Sequence, residues 1–452
     1  MLTLTSLGGA GTVTGSKHLL SHGDTHLLID CGLFQGLKNL RELNWERLAI
    51  APRDIDAVVL THAHLDHSGY LPKLVQDGFS GKIYATPATR DVAELILRDS
   101  AHLQEKDADF ANRHGFSRHA PARPLYGVRE AERAIAAFAP VRLHHSVTVP
   151  GGAALLLRRA GHILGAATAQ IDIGGQRIVF SGDLGRYNDA VMHDPEPVPQ
   201  ADHVVIESTY GNRSHDVADP VEALGRVIER TVQRGGTVVI PAFAVGRAQS
   251  LIHHLWLLRQ AGRLAKVPLY LDSPMAGSAT QLLHEHAGEH KLTARDYEAA
   301  CAAVTYVKEV EESKALSANR FPKVIISASG MATGGRVLHH IAAFAGDHRS
   351  TLLFSGFQAA GTRGRKLLEG AREVKIHGEW IDVRAEVAEL PMLSAHADAG
   401  ELLRWLSGFQ RAPKRVFIVH GEPEASEALR ERIQRELGWD ATVPLQNRKY
   451  TL

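Results

Sequence analysis

The stretch THAHLDH, residues 61–67, holds three histidines and an aspartate within seven positions, directly after the apolar run AVVL. A packing role suits it badly: protonated imidazoles repel one another, and a buried carboxylate is costly unless it is paired. A metal ion resolves both problems. On a helix, His62 and His64 would stand about 200° apart and could not share an ion. In an extended segment residues i and i+2 point the same way, so the two can grip one cation. A turn at Leu65 then lets Asp66 and His67 face a second. Imidazole nitrogen with some carboxylate oxygen is the donor set zinc prefers, and iron or manganese also suits it.

The elements that must position these groups follow from pattern. Up to about residue 60 the chain reads as short strands with glycine turns: MLTLTSLGG, HLLID at 26–30 and DAVVL at 56–60. A helical segment follows in GYLPKLVQDGF, with Pro72 near its start. Next come a strand, KIYAT at 82–86, and a charge-rich helix over about 89–111. Strands at 154–160, 169–175, 177–183 and 203–209 come next, with Gly-Gly pairs at 151–152 and 174–175 suited to hairpin turns. After residue 210 helical stretches alternate with the strands TVVIPAF, PLYLDSP, KVIISASG and TLLFSG, the rhythm of a parallel sheet covered on both faces. From about residue 380 short strands return, AEVAELPML and RVFIVHG, followed by a helix at 424–437. The expected organisation is a β-rich domain, residues 1–208 and 381–452, interrupted by an inserted α/β domain over 209–380.

HAHLDH resembles the HxHxDH signature of the metallo-β-lactamase superfamily, whose fold is an αββα sandwich. The resemblance implies later ligands from a lone histidine, an aspartate and a final histidine. The chain offers them in order at strand ends: His162 in GHILGAA, Asp183 in FSGDLGR and His420 in FIVHGE. It implies that His62, His64 and His162 hold one metal, that Asp66, His67 and His420 hold the other, and that Asp183 bridges them. Two zinc ions per chain are the implied cofactor. Asp30, closing HLLID, matches the superfamily's first motif, which implies a carboxylate that orients ligand imidazoles and the bridging water through hydrogen bonds.

From IESTYG onward the chain resembles the β-CASP branch of that superfamily, whose members mostly process nucleic acids. It is most similar to bacterial and archaeal relatives of the endonuclease subunit of the cleavage and polyadenylation specificity factor. Three further motifs carry the likeness: Glu207 in ESTYG, His396 in SAHADAG, and His420. The resemblance implies that His396 supplies a proton or positive charge to the leaving ribose oxygen, with Glu207 holding its imidazole. The bland alternative makes Glu207 a turn residue and His396 a cap on the helix ADAGELLRWL, a role that Ser394 and Asp398 would fill equally well. Two glycine-rich stretches, SASGMATGGR and SGFQAAGTRGRK, each follow an apolar strand and open a helix. Backbone amides at such starts bind phosphates. Ser329, Gly330, Arg336, Arg363 and Arg365 are therefore the candidate substrate contacts, with Lys366 beside them.

Composition bounds the rest. With 452 residues, 44% hydrophobic and 22% charged, the chain has an ordinary globular make-up and room for two or three domains. A formal net charge of +1 means that polyanion binding must come from local clusters. Two cysteines, Cys31 and Cys301, make no disulfide framework and suit a reducing compartment. Neither a signal peptide nor a bilayer-spanning apolar stretch is legible, so a cytoplasmic location without membrane association is expected. Aromatic residues at 6% argue against a stacking platform for long single strands.

The sequence thus predicts a zinc-dependent ribonuclease that hydrolyses RNA phosphodiesters with a two-metal activated water, in a cleft between its two domains. The rivals are a small-molecule hydrolase of the same superfamily, a DNA nuclease acting on single strands, and a catalytically dead scaffold. The last is disfavoured because all seven ligand positions are filled. Endonucleolytic or exonucleolytic action, target sequence and oligomeric state, a homodimer included, stay open.

Overall fold

Strand Leu2–Gly8 is buried along its whole length, so both of its faces must be covered. It lies within a seven-stranded sheet in the order Lys449–Thr451, Leu2–Gly8, Lys17–His22, Thr25–Ile29, Ala57–Val59, Lys82–Ala85 and Phe138–Pro140. A second sheet, also of seven strands, runs Ala441–Thr442, Arg415–Val419, His203–Glu207, Gln176–Phe180, Ala167–Ile173, Ala153–Arg159 and Val147–Val149. Their inner faces share one core, in which Leu4, Leu20, Ile29 and Val59 meet Leu155, Ile171, Phe180 and Phe417. The computed structural model describes residues 1–115 and 119–452. They form two compact units, the first comprising Met1–Asp189, His193–Ser214 and His396–Leu452.

Parallel pairing in each sheet gathers strand ends. Thr25–Ile29 runs parallel to Ala57–Val59 with Ile29 opposite Val59, which sets Asp30 beside the start of THAHLDH. Gln176–Phe180, His203–Glu207 and Arg415–Val419 also run parallel, with Glu207 opposite Val419. The segments that follow these strands therefore emerge on one edge. The Gly-Gly pairs expected at hairpins do join antiparallel strands: Val147–Val149 pairs with Ala153–Arg159, and Ala167–Ile173 with Gln176–Phe180.

The second unit, Ala190–Met192 and His215–Ala395, is built on a six-stranded sheet. Its order is Thr305–Tyr306, Leu269–Asp272, Val324–Ser327, Val238–Pro241, Thr351–Phe354 and Glu386–Glu389, with every pair parallel. Alternate residues of Val238–Pro241 enter opposite cores: Val238 and Ile240 pack with Leu251 and Leu255, whereas Val239 packs with Val337 and Ile341. Burial on both faces explains the unbroken apolar runs of these strands. Strand Glu386–Glu389 pairs with Thr351–Phe354 in this sheet, although the sequence suggests a return to the β-rich domain at residue 381. Among the described residues, no helix is long and apolar enough to cross a membrane.

Candidate active site

His62 and His64 sit in the non-helical segment after Ala57–Val59, and the short helix Leu65–Ser68 starts immediately behind them. This is the extended pair followed by a turn that the spacing requires. His162 follows Ala153–Arg159, and Asp183 follows Gln176–Phe180. His420 follows Arg415–Val419 with φ 48°, in the left-handed region. Asp30 has φ 59°. Non-glycine residues in that region persist where the surrounding structure over-determines them.

Groups drawn from positions 62 to 420 converge. Donor atoms of His62, His64, His162 and Asp183 all lie within 4.8 Å of one another, and so do those of Asp66, His67 and His420. Asp183 joins the two clusters through its two oxygens. Its Oδ2 is 3.4 Å from His62 Nε2 and 3.6 Å from His162 Nε2. Its Oδ1 is 3.2 Å from His67 Nε2 and 3.4 Å from His420 Nδ1. On the far side of its ring, His420 Nε2 is 3.3 Å from Asp66 Oδ2. His62, His67, His162 and Asp183 are all buried.

No hydrogen bond reaches His62 Nε2, His67 Nε2 or Asp183 Oδ1, although each atom is fully buried. Buried polar atoms are normally satisfied, and a cation among them would satisfy all three at once. The protonation balance of His62, His64, His162 and Asp183 points the same way, whereas Asp183 and Asp30, against burial, raise His67 well above its ordinary value. Burial and neighbouring imidazoles push His64 down to about 3 and hold His62 and His162 below their ordinary values. Asp183 is held well below the carboxylate range, with burial opposed by His420, His67 and His62. Neutral imidazole and ionised carboxylate are the forms a metal binds. The residues present therefore fit a metal ion.

Around this centre, carboxylates hold imidazoles. Asp30 accepts from the Thr61 amide at 2.8 Å, from the Thr61 hydroxyl, and from His67 Nδ1 at 2.7 Å, which turns His67 Nε2 toward Asp183. Thr209 Oγ1 hydrogen-bonds His420 Nδ1 at 3.1 Å. Neither threonine is singled out by sequence reasoning. The signal available was adjacency, since each is a hydroxyl residue beside a motif residue.

Glu207 and His396 form a third group with Asp183. Glu207 is buried; its Oε1 accepts from the Leu184 amide at 2.7 Å, and both of its oxygens lie 3.3 Å from His396 Nδ1. The His396 side chain keeps 17% exposure. Burial pulls its pKa down, but Glu207 and Asp183 outweigh this and raise it above the ordinary value. His396 is not the helix cap. Asp398 caps Ala399–Leu406, accepting from the Glu401 amide while Glu401 returns the bond.

The glycine-rich loops lie in the second unit and meet each other: Gln358 Nε2 donates to Gly330 O at 3.1 Å, and the Gly364 amide to Met331 O at 3.1 Å. Their polar groups are engaged locally. Ser329 Oγ bonds Thr333, and Arg336 pairs with buried Asp272 at 2.7 Å and donates to Lys308 O. Arg363 donates to Lys375 O, and Arg365 pairs with Glu369.

The chain matches the metallo-β-lactamase superfamily model over residues 12–225, the β-CASP domain model over 248–367, and the model of a zinc-dependent metallo-hydrolase RNA specificity domain over 380–444. It is 37% identical to Ribonuclease TTHA0252 of Thermus thermophilus, across 95% of each chain. It is 32% identical to the transcription termination factor FttA of Methanosarcina mazei, across 96% of this chain and 69% of that protein. A crystal structure of a protein of unknown function from Enterococcus faecalis superposes with a TM-score of 0.53 at 14% identity over the whole of both chains, a likeness of fold alone.

Proposed function

Because the chain belongs to the β-CASP branch of the metallo-β-lactamase superfamily and is a metal-dependent hydrolase of that family, we propose that it is a zinc-dependent ribonuclease cutting RNA phosphodiester bonds at the Asp183 centre. The observation that carries this reading is the division of the Asp183 carboxylate, Oδ2 toward His62 and His162, and Oδ1 toward His67 and His420. One carboxylate serving two imidazole sets suits a pair of cations. His62, His64 and His162 would hold one zinc, Asp66, His67 and His420 the other, and Asp183 both. When bound, such a pair supplies an activated water and Lewis acidity toward a phosphoryl oxygen.

The chain's own residues do the remainder. Asp30 fixes the tautomer of His67 by accepting a hydrogen bond from Nδ1–H, which leaves the lone pair of Nε2 to face a metal. Glu207 likewise accepts from Nδ1–H of His396, and in the imidazolium form Nε2 then carries the proton available to the leaving ribose oxygen. As water attacks phosphorus and the P–O bond to ribose breaks, that oxygen takes the His396 proton. Glu207 and Asp183, acting against burial, raise the pKa of His396 and so favour its protonated form. Arg336, Arg363 and Arg365 remain candidates for phosphate contacts, with Ser329 and Gly330 in the same loops; any such role requires exchanging their present partners.

The test incubates purified protein with end-labelled RNA alongside Asp183→Ala and His396→Ala. Wild type is expected to cut. Asp183→Ala loses metal and activity, whereas His396→Ala keeps its metal and slows by about 10²–10⁴-fold. Variants that degrade RNA as fast as wild type overturn the assignment. Rapid turnover of a lactam, a thioester or single-stranded DNA with RNA untouched would redirect the substrate.

A further inference from the structure

Behind the Asp30–His67 pair lies a cavity of about 10 Å³, the size that holds one water molecule. Its polar lining includes Ser16, His18, Asp30, His67 and His420, and its apolar lining includes Phe180 and Val205. It shares His67 and His420 with the cluster around Asp66, but neither Asp66 nor Asp183 borders it, so it lies behind those two imidazoles. Ser16 Oγ is fully buried there with no hydrogen-bond partner, an arrangement native proteins avoid unless water supplies the bond. The Ser16 backbone is fixed, its amide donating to Asp66 O at 2.9 Å and its carbonyl accepting from the Gly32 amide at 3.0 Å. The hydroxyl is thus anchored to the loop that carries the HxHxDH residues. His18, also buried, spends Nδ1 on Ser6 Oγ at 3.1 Å, which leaves Nε2 as its other polar atom.

Asp30 can accept from one more donor. A carboxylate offers about four acceptor positions, and Asp30 has three donors: the Thr61 amide on Oδ1, the Thr61 hydroxyl shared between Oδ1 and Oδ2, and His67 Nδ1 on Oδ2. We propose that Ser16 and His18 are positioning residues of the metal centre, together holding one buried water against Asp30 so that this carboxylate keeps His67 in its ligand orientation. The water would bond Ser16 Oγ, His18 Nε2 and the remaining acceptor position of Asp30, within the two to four partners an internal water takes. This rests on the two-cation reading above, because what the water ultimately fixes is a metal-facing nitrogen.

The test is a zinc titration of the full chain against a chromogenic chelator, for wild type, Ser16→Ala, His18→Leu and His18→Gln, with melting of the zinc-free proteins in parallel. Leucine keeps the volume of His18 without its nitrogens, whereas the glutamine amide reaches the place of Nε2. The expected result is two zinc equivalents for wild type, one of them weakened about ten- to hundredfold in His18→Leu. Ser16→Ala shows a smaller loss, His18→Gln recovers most of the affinity, and the zinc-free midpoints coincide. The proposal is overturned if wild type binds two equivalents and both Ser16→Ala and His18→Leu bind them as tightly. It is also overturned if zinc affinity and zinc-free stability fall together without rescue by glutamine. If His18→Leu does not fold, Ser16→Ala, which removes a single hydroxyl, decides. A wild-type protein that takes up no zinc refutes the two-cation reading instead.

Discussion

Asp30 and Glu207 solve the same problem at two points of the site. Each is a buried carboxylate that accepts a backbone amide and grips the Nδ1 of a histidine, leaving the opposite ring nitrogen for chemistry. They differ in what that nitrogen serves, so their amide variants separate. Asp30→Asn is expected to weaken zinc binding about ten- to hundredfold in a chelator titration. Glu207→Gln should leave zinc content and KM unchanged and lower kcat by about 10²-fold, because the glutamine oxygen can keep the Leu184 bond while the His396 proton loses its acceptor. HAHLDH was readable at this scale because its geometry is local: two residues apart in extended chain is one face. His162, Asp183 and His420 carried no such internal ruler and were readable only through family resemblance. Thr61 and Thr209 were missed because a hydroxyl next to a motif has no spacing signature. The ion pair of Arg336 was hidden because Asp272 lies 64 positions earlier in the chain.

Among the elements, the loops after the strands carry the strictest demands. Gly32 follows Asp30 and Cys31, and a Cβ there would lie 1.6 Å from Asp66 O and 2.6 Å from His67 N. Backbone cannot yield as a flexible side chain does, so Gly32→Ala should displace the 61–67 loop. We expect lost zinc binding and a destabilisation of about 3 kcal/mol or more by urea unfolding, as for a severe core clash. On strand His203–Glu207, burial, with Lys414 adding to it, pushes His203 down to about 4, while Nε2 bonds Gln176 Oε1. Between pH 6.5 and 4 the unfolded chain therefore binds a proton at this residue that the folded chain refuses. Its contribution is complete above pH 6.5 and is lost as the pH falls toward 4. Urea midpoints at pH 7.5 and 5 should show wild type losing about 1 kcal/mol more than His203→Gln. Strand identity was readable from alternation and apolar runs, but sheet membership was not. AEVAELPML looks like any half-buried strand, and its place beside Thr351–Phe354 depends on pairing partners distant in sequence.

For the molecule as a whole, the described groups of histidine and carboxylate donors that could hold a metal all belong to the first unit. The second unit has its own cores and a polar knot at Asp272, which accepts from Ser313, His340 and Arg336. Calorimetry should therefore resolve two transitions. Chelation moves one of them, by the equivalent of about 4 kcal/mol if free zinc had stood a thousandfold above Kd. Asp272→Ala moves the other, by about 3–5 kcal/mol, because it strands a buried imidazole and a part-buried guanidinium. The first unit is assembled from stretches on either side of the second, and its final stretch brings both His396 and His420. A nuclease is dangerous to the messenger it is translated from. Under the cleavage proposed above, Asp66 and His67 wait for His420 to complete their cluster, so a ribosome must read past codon 420 before that donor set exists, and a copy terminated earlier lacks it.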